Sequence, residues 1–280
     1  MWFFGQGPVV PVLRFSGPIG MATPLRPGLS IGQAASAIEK AFDLSKIPAV
    51  AVVVNSPGGS PVQSSLIFRR IRQLAEEKKK TVYVFCEDVA ASGGYYLALA
   101  GDEIYADPSS IIGSIGVIFA GFGLDKAIAK LGIERRVYTA GEQKDALDPF
   151  RPEKPADIER IKNVQRDVHD VFIGIVKERR AGRLTGADAE LFSGAFWSGP
   201  KALELGLIDG ISDVRSKMRE LYGDKVRLKV VPLEKGGLLG RLRRSSSAAG
   251  YEELRTGRLA FGEDLISAIE ARSLWSRFGL

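Results

Sequence analysis

What most restricts the fold is Ala49–Val54, six consecutive apolar residues rich in valine and closed by the turn Asn55-Ser56-Pro57-Gly58-Gly59-Ser60. An unbroken apolar run of this length, rich in β-branched valine and without polar alternation, suits a strand covered on both faces. After the turn, Leu66, Arg70 and Leu74 lie along a helix-length segment that ends in charge. Thr81–Cys86 is a second β-rich run, Ser92–Ala100 a helix of small residues, and Glu103–Ala106 a further strand. Upstream, Val9–Phe15 reads as a first strand, and Ser30 is placed to cap a helix whose Ile31, Ala35, Ile38 and Phe42 recur at helical spacing. Strands parted by helices need crossover connections, which predicts an α/β chain on a mostly parallel sheet.

Downstream, Leu124–Leu131 and Ile133–Thr139 predict one more helix and one more strand. A long helix fits Ala156 to Arg180, with Ile158, Ile161, Val164, Val168, Val171, Phe172 and Ile175 in one apolar stripe. Leu203–Leu207 and Val214–Leu221 predict short helices, and Val226–Val231 a closing strand. Lys235–Gly250, rich in Gly, Arg and Ser, reads as a linker, and Phe261–Phe278 as a terminal amphipathic helix. Residues 1–232 are therefore expected to form the folded domain, and 233–280 a basic linker and helical or extended tail.

Among 280 residues there is one cysteine, Cys86, and one histidine, His169. No internal disulfide or cysteine-based zinc site is available, and any Ser-His or metal-His mechanism would have to use His169. His169 sits beside the apolar stripe of the long helix and is read as a partly buried helix residue. Cys86, inside a strand run, is read as core. No metal and no organic cofactor is expected. Lys and Arg total 39 against 33 Asp and Glu, but the excess of +6 is spread along the chain, and the runs at Lys78–Lys80 and Arg241–Arg244 are short. A nucleic-acid footprint would gather charge on one face, so no nucleic-acid partner is expected. No stretch reaches the roughly 18 apolar residues of a spanning helix, and no basic region precedes the apolar start. The cytoplasm is the expected compartment.

Chemistry is richest at the turns that follow strands. In Ser56-Pro57-Gly58-Gly59, adjacent glycines let backbone approach a ligand and leave amides exposed; the plain alternative is a tight strand-to-helix turn. In Ala90-Ala91-Ser92-Gly93-Gly94-Tyr95-Tyr96, a serine projects from the carboxyl end of the sheet, where open α/β folds place ligands, with the Gly93 amide beside it. The alternative is a serine that caps its helix. A nucleophilic serine needs a base. With His169 unpromising, a lysine held neutral in a dry pocket is the next candidate, since a free lysine has a pKa of about 10.4 and is almost wholly protonated near neutrality. Lys144, in Gly141-Glu142-Gln143-Lys144-Asp145 just after a predicted strand, is unusual in its setting, although most lysines simply lie on the surface.

Taken together these segments resemble the signal peptide peptidase A family. Asn55-Ser56-Pro57-Gly58-Gly59-Ser60, Ala91-Ser92-Gly93-Gly94-Tyr95-Tyr96, Gly113-Ser114-Ile115-Gly116-Val117-Ile118 and Gly141-x-x-Lys144-Asp145 recur in that family in this order. Phe196-Trp197-Ser198-Gly199, continuing to Gly206-Leu207-Ile208-Asp209, is similar to its downstream segment, and the resemblance spans Val9 to Ser212. It implies a Clp-protease/crotonase-like fold of repeated β-β-α spiral units and a serine peptidase. Ser92 would be the nucleophile, Lys144 the general base, and Ser114 the residue orienting the lysine. Backbone amides of Gly93 and of the Gly58-Gly59 turn would form the oxyanion hole. The stretches around Gly59-Ser60 and Gly113–Val117 would pair with a peptide bound as an extended strand. The resemblance further implies a homo-oligomeric ring in which Ser92 of one protomer meets Lys144 of the next.

The basic tail, with Arg241, Arg243 and Arg244, offers peripheral membrane contact as one role, beside covering the oligomer, reaching an active site as a peptide, or packing against the domain. Two other functions share the fold. An acyl-CoA enzyme would use paired amides without Ser92 and Lys144, and a non-catalytic ring would bind peptides or membrane partners.

Overall fold

The computed structural model describes residues 7–20, 28–233 and 272–280. In chain order its elements are β1 (Val9–Ser16), α1 (Ile31–Asp43), β2 (Ala49–Ser56), α2 (Pro61–Lys78), β3 (Thr81–Ala91), α3 (Gly93–Ala98), β4 (Glu103–Ala106) and β5 (Ile111–Gly113). There follow α4 (Asp125–Lys130), α5 (Pro155–Arg179), α6 (Asp188–Leu191), β6 (Phe196–Ser198), α7 (Gly199–Glu204), β7 (Gly210–Ile211), α8 (Val214–Tyr222) and β8 (Arg227–Val230). The eight-stranded sheet runs β6-β5-β3-β2-β1-β8, with β4 paired to β3 and β7 paired to β4. Every pair is parallel except β5 with β6, so the expected mostly parallel α/β architecture forms.

The valine run lies at the centre of the sheet. Side chains alternate across a strand. Val50, Val52 and Val54 accordingly enter the main core with α1, α2 and α3, while Ala49, Ala51 and Val53 enter a second core closed by Met218 of α8. A polar residue at any of these positions would face apolar packing on one side or the other, which is why the run has no alternation.

β3 serves two neighbours in turn. Tyr83–Cys86 pair with β4, and Val89–Ala91 pair with β5. Between the two halves, Arg14 bonds Glu87 at 2.6 Å, Asn55 Nδ2 donates to Asp88 at 2.5 Å, and the Val89 amide donates to Asn55 Oδ1 at 3.3 Å. The register of β2 against β3 shifts between Val54 and Ser56, so both strands end where the two glycine-bearing turns face each other.

α5 is anchored mainly by its C-terminal half. Phe172 and Val176 are buried in the main core. Just past the helix, the Arg180 guanidinium, 1% exposed, bonds both oxygens of Asp209 at 2.7 and 3.0 Å and donates from Nε to the Gly206 carbonyl at 2.9 Å. Asp209 also accepts the Ile104 amide at 2.7 Å, which ties the end of α5 to β4.

One expectation fails, and one helix that forms as expected is only partly covered. Ile133–Thr139 forms no strand; it is an exposed, irregular segment. A strand needs a neighbour for its N–H and C=O groups, and no strand among the described residues pairs with this stretch. The apolar stripe of α5 is only half used: Val164 and Val171 remain 50% and 61% exposed. α4 buries no side chain, and around it Ile118, Phe119, Phe122, Leu131, Ile133 and Tyr138 are all exposed. Of the expected terminal helix, 261–271 lie outside the described residues, as does the linker Lys235–Gly250. Residues 272–276 are helical, and Phe278 packs with Trp275 against Val89 and Ala91, 5.2 Å from the Phe196 ring.

Candidate active site

The two glycine turns meet at the carboxyl ends of β2 and β3. Ser92 takes φ 52 and ψ −122, a left-handed backbone that side chains rarely adopt, and its side chain makes no capping bond to α3. The capping alternative is thereby removed. The elbow is held from both sides: the Ser92 amide donates to the Gly113 carbonyl at 2.8 Å, and its carbonyl accepts the Tyr96 amide at 3.0 Å. Strain of this sort costs on the order of 1–3 kcal/mol and persists only where the surroundings hold it, commonly at functional sites.

Opposite stands the Gly58-Gly59 turn. At Gly58 (φ +104) a Cβ would lie 2.8 Å from Ser92 Cβ and 2.9 Å from the Gly93 nitrogen; at Gly59 (φ +140) it would lie 2.1 Å from the Ile19 carbonyl oxygen. Only glycine fits either place. The Gly58 amide donates to Ser56 Oγ at 3.2 Å, and Ser56 Oγ donates to the Gly17 carbonyl at 2.7 Å. The Gly58 carbonyl accepts the Ile19 amide at 2.8 Å. The amide of Gly59 takes no part in these bonds. It lies close to Gly93, where a Cβ would come within 3.3 Å of the Gly59 nitrogen. Of the three glycines singled out from the sequence, Gly59 and Gly93 therefore bring amides together, while Gly58 shapes the backbone beside Ser92 with its own amide committed.

Beside the serine opens a crevice of about 220 Å³. Its floor is Ser92, Gly93 and Tyr96, the last packed on Phe172 and Phe68 at ring separations of 5.1 and 5.6 Å. One wall is the first turns of α2, from Pro61 and Val62 to Arg69; the other is Val168, Val171 and Phe172 of α5. Gly116 and Val117 form the rim. In the sequence the α5 residues stand out only as part of an apolar stripe, and Arg69 does not stand out at all. A stripe at helical spacing looks alike whether it meets a core or a cleft.

Ser114 (φ 51) is buried beyond β5, and its amide donates to the Ala195 carbonyl at 2.7 Å. Lys144 stands apart. It is exposed, does not line the crevice, and its amide donates to the Gly141 carbonyl at 3.2 Å. Around it the segment is knit by its own charges. Asp145 pairs with Arg151 and Lys154 at 2.6 and 3.6 Å, and Asp148 with Arg135 at 3.3 Å. The Phe150 amide, and then Arg135, hold the Asp148 carboxyl below the usual carboxylate range. His169 Nε2 lies 3.0 Å from the Ile115 carbonyl oxygen, which fits the part-buried helix residue expected. Cys86 is buried, and its thiol is pushed up to about 12 by desolvation, which leaves it unreactive near neutrality. Among the described residues no group of His, Cys, Asp and Glu is arranged to hold a metal ion, and no helix is long and apolar enough to cross a membrane.

Comparison with known proteins agrees with the resemblance read from the motifs. The model of peptidase family S49 matches residues 74–226. A candidate protease of Synechocystis sp., slr0021, is 34% identical over 200 residues, 69% of this chain and 70% of its own length. The chloroplastic serine protease SPPA of Arabidopsis thaliana is 31% identical over 240 residues, 85% of this chain and 34% of that protein. The Na(+)/H(+) antiporter NhaA of Brucella abortus is 53% identical over 272 residues, which are 97% of this chain but 37% of that protein. The chain thus spans 37% of that relative's length, and the antiporter name is that of the longer protein.

Proposed function

The chain belongs to peptidase family S49, and from that premise we propose that it is a serine endopeptidase acting on extended peptides, such as signal-peptide remnants or unfolded segments. The observation that carries the reading is Ser92: a serine on a strained elbow, its hydroxyl not capping the following helix, at the mouth of an apolar crevice where the Gly59 and Gly93 amides converge.

In this reading the peptide lies along the crevice with its scissile carbonyl over Ser92. The serine oxygen bonds to that carbon as its proton passes to the uncharged amine of Lys144. The carbonyl oxygen takes the negative charge and accepts hydrogen bonds from Gly59 and Gly93. On collapse the C–N bond breaks, and the lysine returns the proton to the leaving amine. Water, deprotonated by the same amine, then frees the acyl group. Ser114 orients the amine. An amine in water near neutral pH is almost wholly protonated, so Lys144 must be dried to act.

Its own chain leaves Lys144 exposed, on a segment whose Phe122, Leu131 and Tyr138 are 79%, 73% and 93% exposed. These apolar groups support a head-to-tail ring in which each lysine is covered by, and completes the site of, the neighbouring subunit. Of the backbone from Gly113 to Val117, the Gly113 and Ile115 carbonyls and the Ser114 amide already have partners, which leaves the Ser114 carbonyl, the Ile115 amide, Gly116 and Val117 to pair with substrate. An acyl-CoA enzyme would also use paired amides, but the crevice lining holds no carboxylate for enolate chemistry. Our reading keeps the enzyme in the cytoplasm, with peripheral membrane contact open to the basic tail.

The test is labelling and turnover together. A fluorophosphonate probe should label the wild-type protein and not Ser92→Ala, and Ser92→Ala should lose all cleavage of casein. Labelling of another serine, or full activity in Ser92→Ala, overturns the reading.

A further inference from the structure

His169 stands on α5 next to Val168 and two residues before Val171, both in the outer wall of the crevice. Its Nε2 reaches across to the Ile115 carbonyl oxygen at 3.0 Å. Ile115 belongs to the segment that carries the opposite rim. Two residues earlier the Gly113 carbonyl holds the Ser92 amide at 2.8 Å, one residue earlier the Ser114 amide holds Ala195 at 2.7 Å, and Gly116 and Val117 follow directly. Among the described residues this is the one side-chain hydrogen bond that joins α5 to the 113–117 segment. In the N-terminal half of α5 Asp157 is the buried residue and Val164 is exposed, while the buried apolar anchors, Phe172 and Val176, lie in the C-terminal half.

A carbonyl oxygen only accepts, so the nitrogen facing it must carry a proton, in the neutral Nε2–H tautomer or in the imidazolium. A nitrogen committed in this way is not a base, and His169 does not line the crevice. We propose that His169 is a positioning residue for substrate binding: by holding Ile115 it sets the gap between the α5 wall and the Gly116–Val117 rim on which an extended peptide pairs. The inference rests on the peptidase reading above. Loss of the bond would loosen a rim that a long peptide uses and a short ester does not, while the Ser92 elbow keeps its own tie to Gly113.

The experiment compares KM and kcat for an extended fluorogenic peptide and for a short activated ester in wild type, His169→Leu and His169→Gln. His169→Leu should raise KM for the peptide about tenfold, the worth of a single hydrogen bond, with ester turnover within about twofold of wild type. His169→Gln, whose carboxamide can donate to the same carbonyl, should recover most of the peptide affinity. Should His169→Leu fail to fold, His169→Asn, too short to reach the carbonyl, takes its place. As the single histidine of the chain, its ring nitrogens should also show the Nε2–H form in a nitrogen-15 spectrum of the wild type at neutral pH. An unchanged peptide KM in His169→Leu, equal losses in the Leu and Gln variants, ester turnover falling in step with peptide turnover, or a neutral Nδ1–H tautomer overturns the inference. A wild-type protein that cleaves neither substrate overturns the peptidase reading instead.

Discussion

If the lysine is donated between subunits, two inactive proteins should make an active one. In a head-to-tail ring each site takes its serine from one subunit and its lysine from the next. When Ser92→Ala and Lys144→Ala subunits are mixed one to one and exchanged, a site works only where the serine comes from a Lys144→Ala chain and the lysine from a Ser92→Ala chain. Independent placement makes that about one site in four, whatever the number of subunits, and about three in sixteen at a mixing ratio of three to one. The structural ground is that Lys144 lies exposed outside the crevice, on a segment whose apolar side chains its own chain does not cover. Subunits are exchanged by dilution into mild denaturant and reassembly. Cleavage of a fluorogenic peptide is then read against the ratio, with mixed particles verified by native mass. Recovery that follows the product of the two fractions supports the shared site. No recovery in particles shown to be mixed refutes it, and places any role of Lys144 within its own chain.

Three further outcomes are expected. Gly58→Ala puts a methyl 2.8 Å from Ser92 Cβ on a left-handed backbone, so ester turnover should fall about 100–1,000-fold, as when an oxyanion donor is lost, with the circular dichroism spectrum retained. Asp209→Ala leaves the Arg180 guanidinium, 1% exposed, without its ion partner; urea unfolding should show a loss of roughly 3–5 kcal/mol, and a loss below 1 would contradict the burial. Arg69 is the one charged residue of the crevice lining and has no ion pair among the described residues. Peptides with Glu rather than Lys near the scissile bond should therefore show kcat/KM up to about fivefold higher, and Arg69→Glu should reverse the order.

The parts of the structure legible in the sequence are those the chain completes by itself. Ala49–Val54 could be read as a doubly covered strand because both its faces are filled from the same chain, by α1 to α3 on one side and Met218 on the other. Ser92 could be singled out, but whether its hydroxyl caps α3 turned on local backbone geometry that composition does not carry. Likewise the sharing of work between Gly58 and Gly59 depended on Ser56 Oγ capturing one amide, a contact set by the tertiary turn. The one misread segment shares its cause with the uncovered face of α5. Ile133–Thr139 pairs with no strand among the described residues, and α5, which forms where its periodicity predicts, leaves Val164 and Val171 of its stripe exposed. Periodicity says that a face will be covered, not by which molecule.

β3 has neighbours along both edges, changes one of them halfway, and delivers Ser92 from its well-braced end, whereas α4 buries no side chain and Lys144 lies exposed. Within one chain the proposed pair is thus split between a densely braced strand end and an exposed segment. Warming should then extinguish proteolysis at temperatures where the sheet is still intact, and cooling should bring it back, so that heat inactivation of this enzyme would report on the lysine arm long before it reports on the fold.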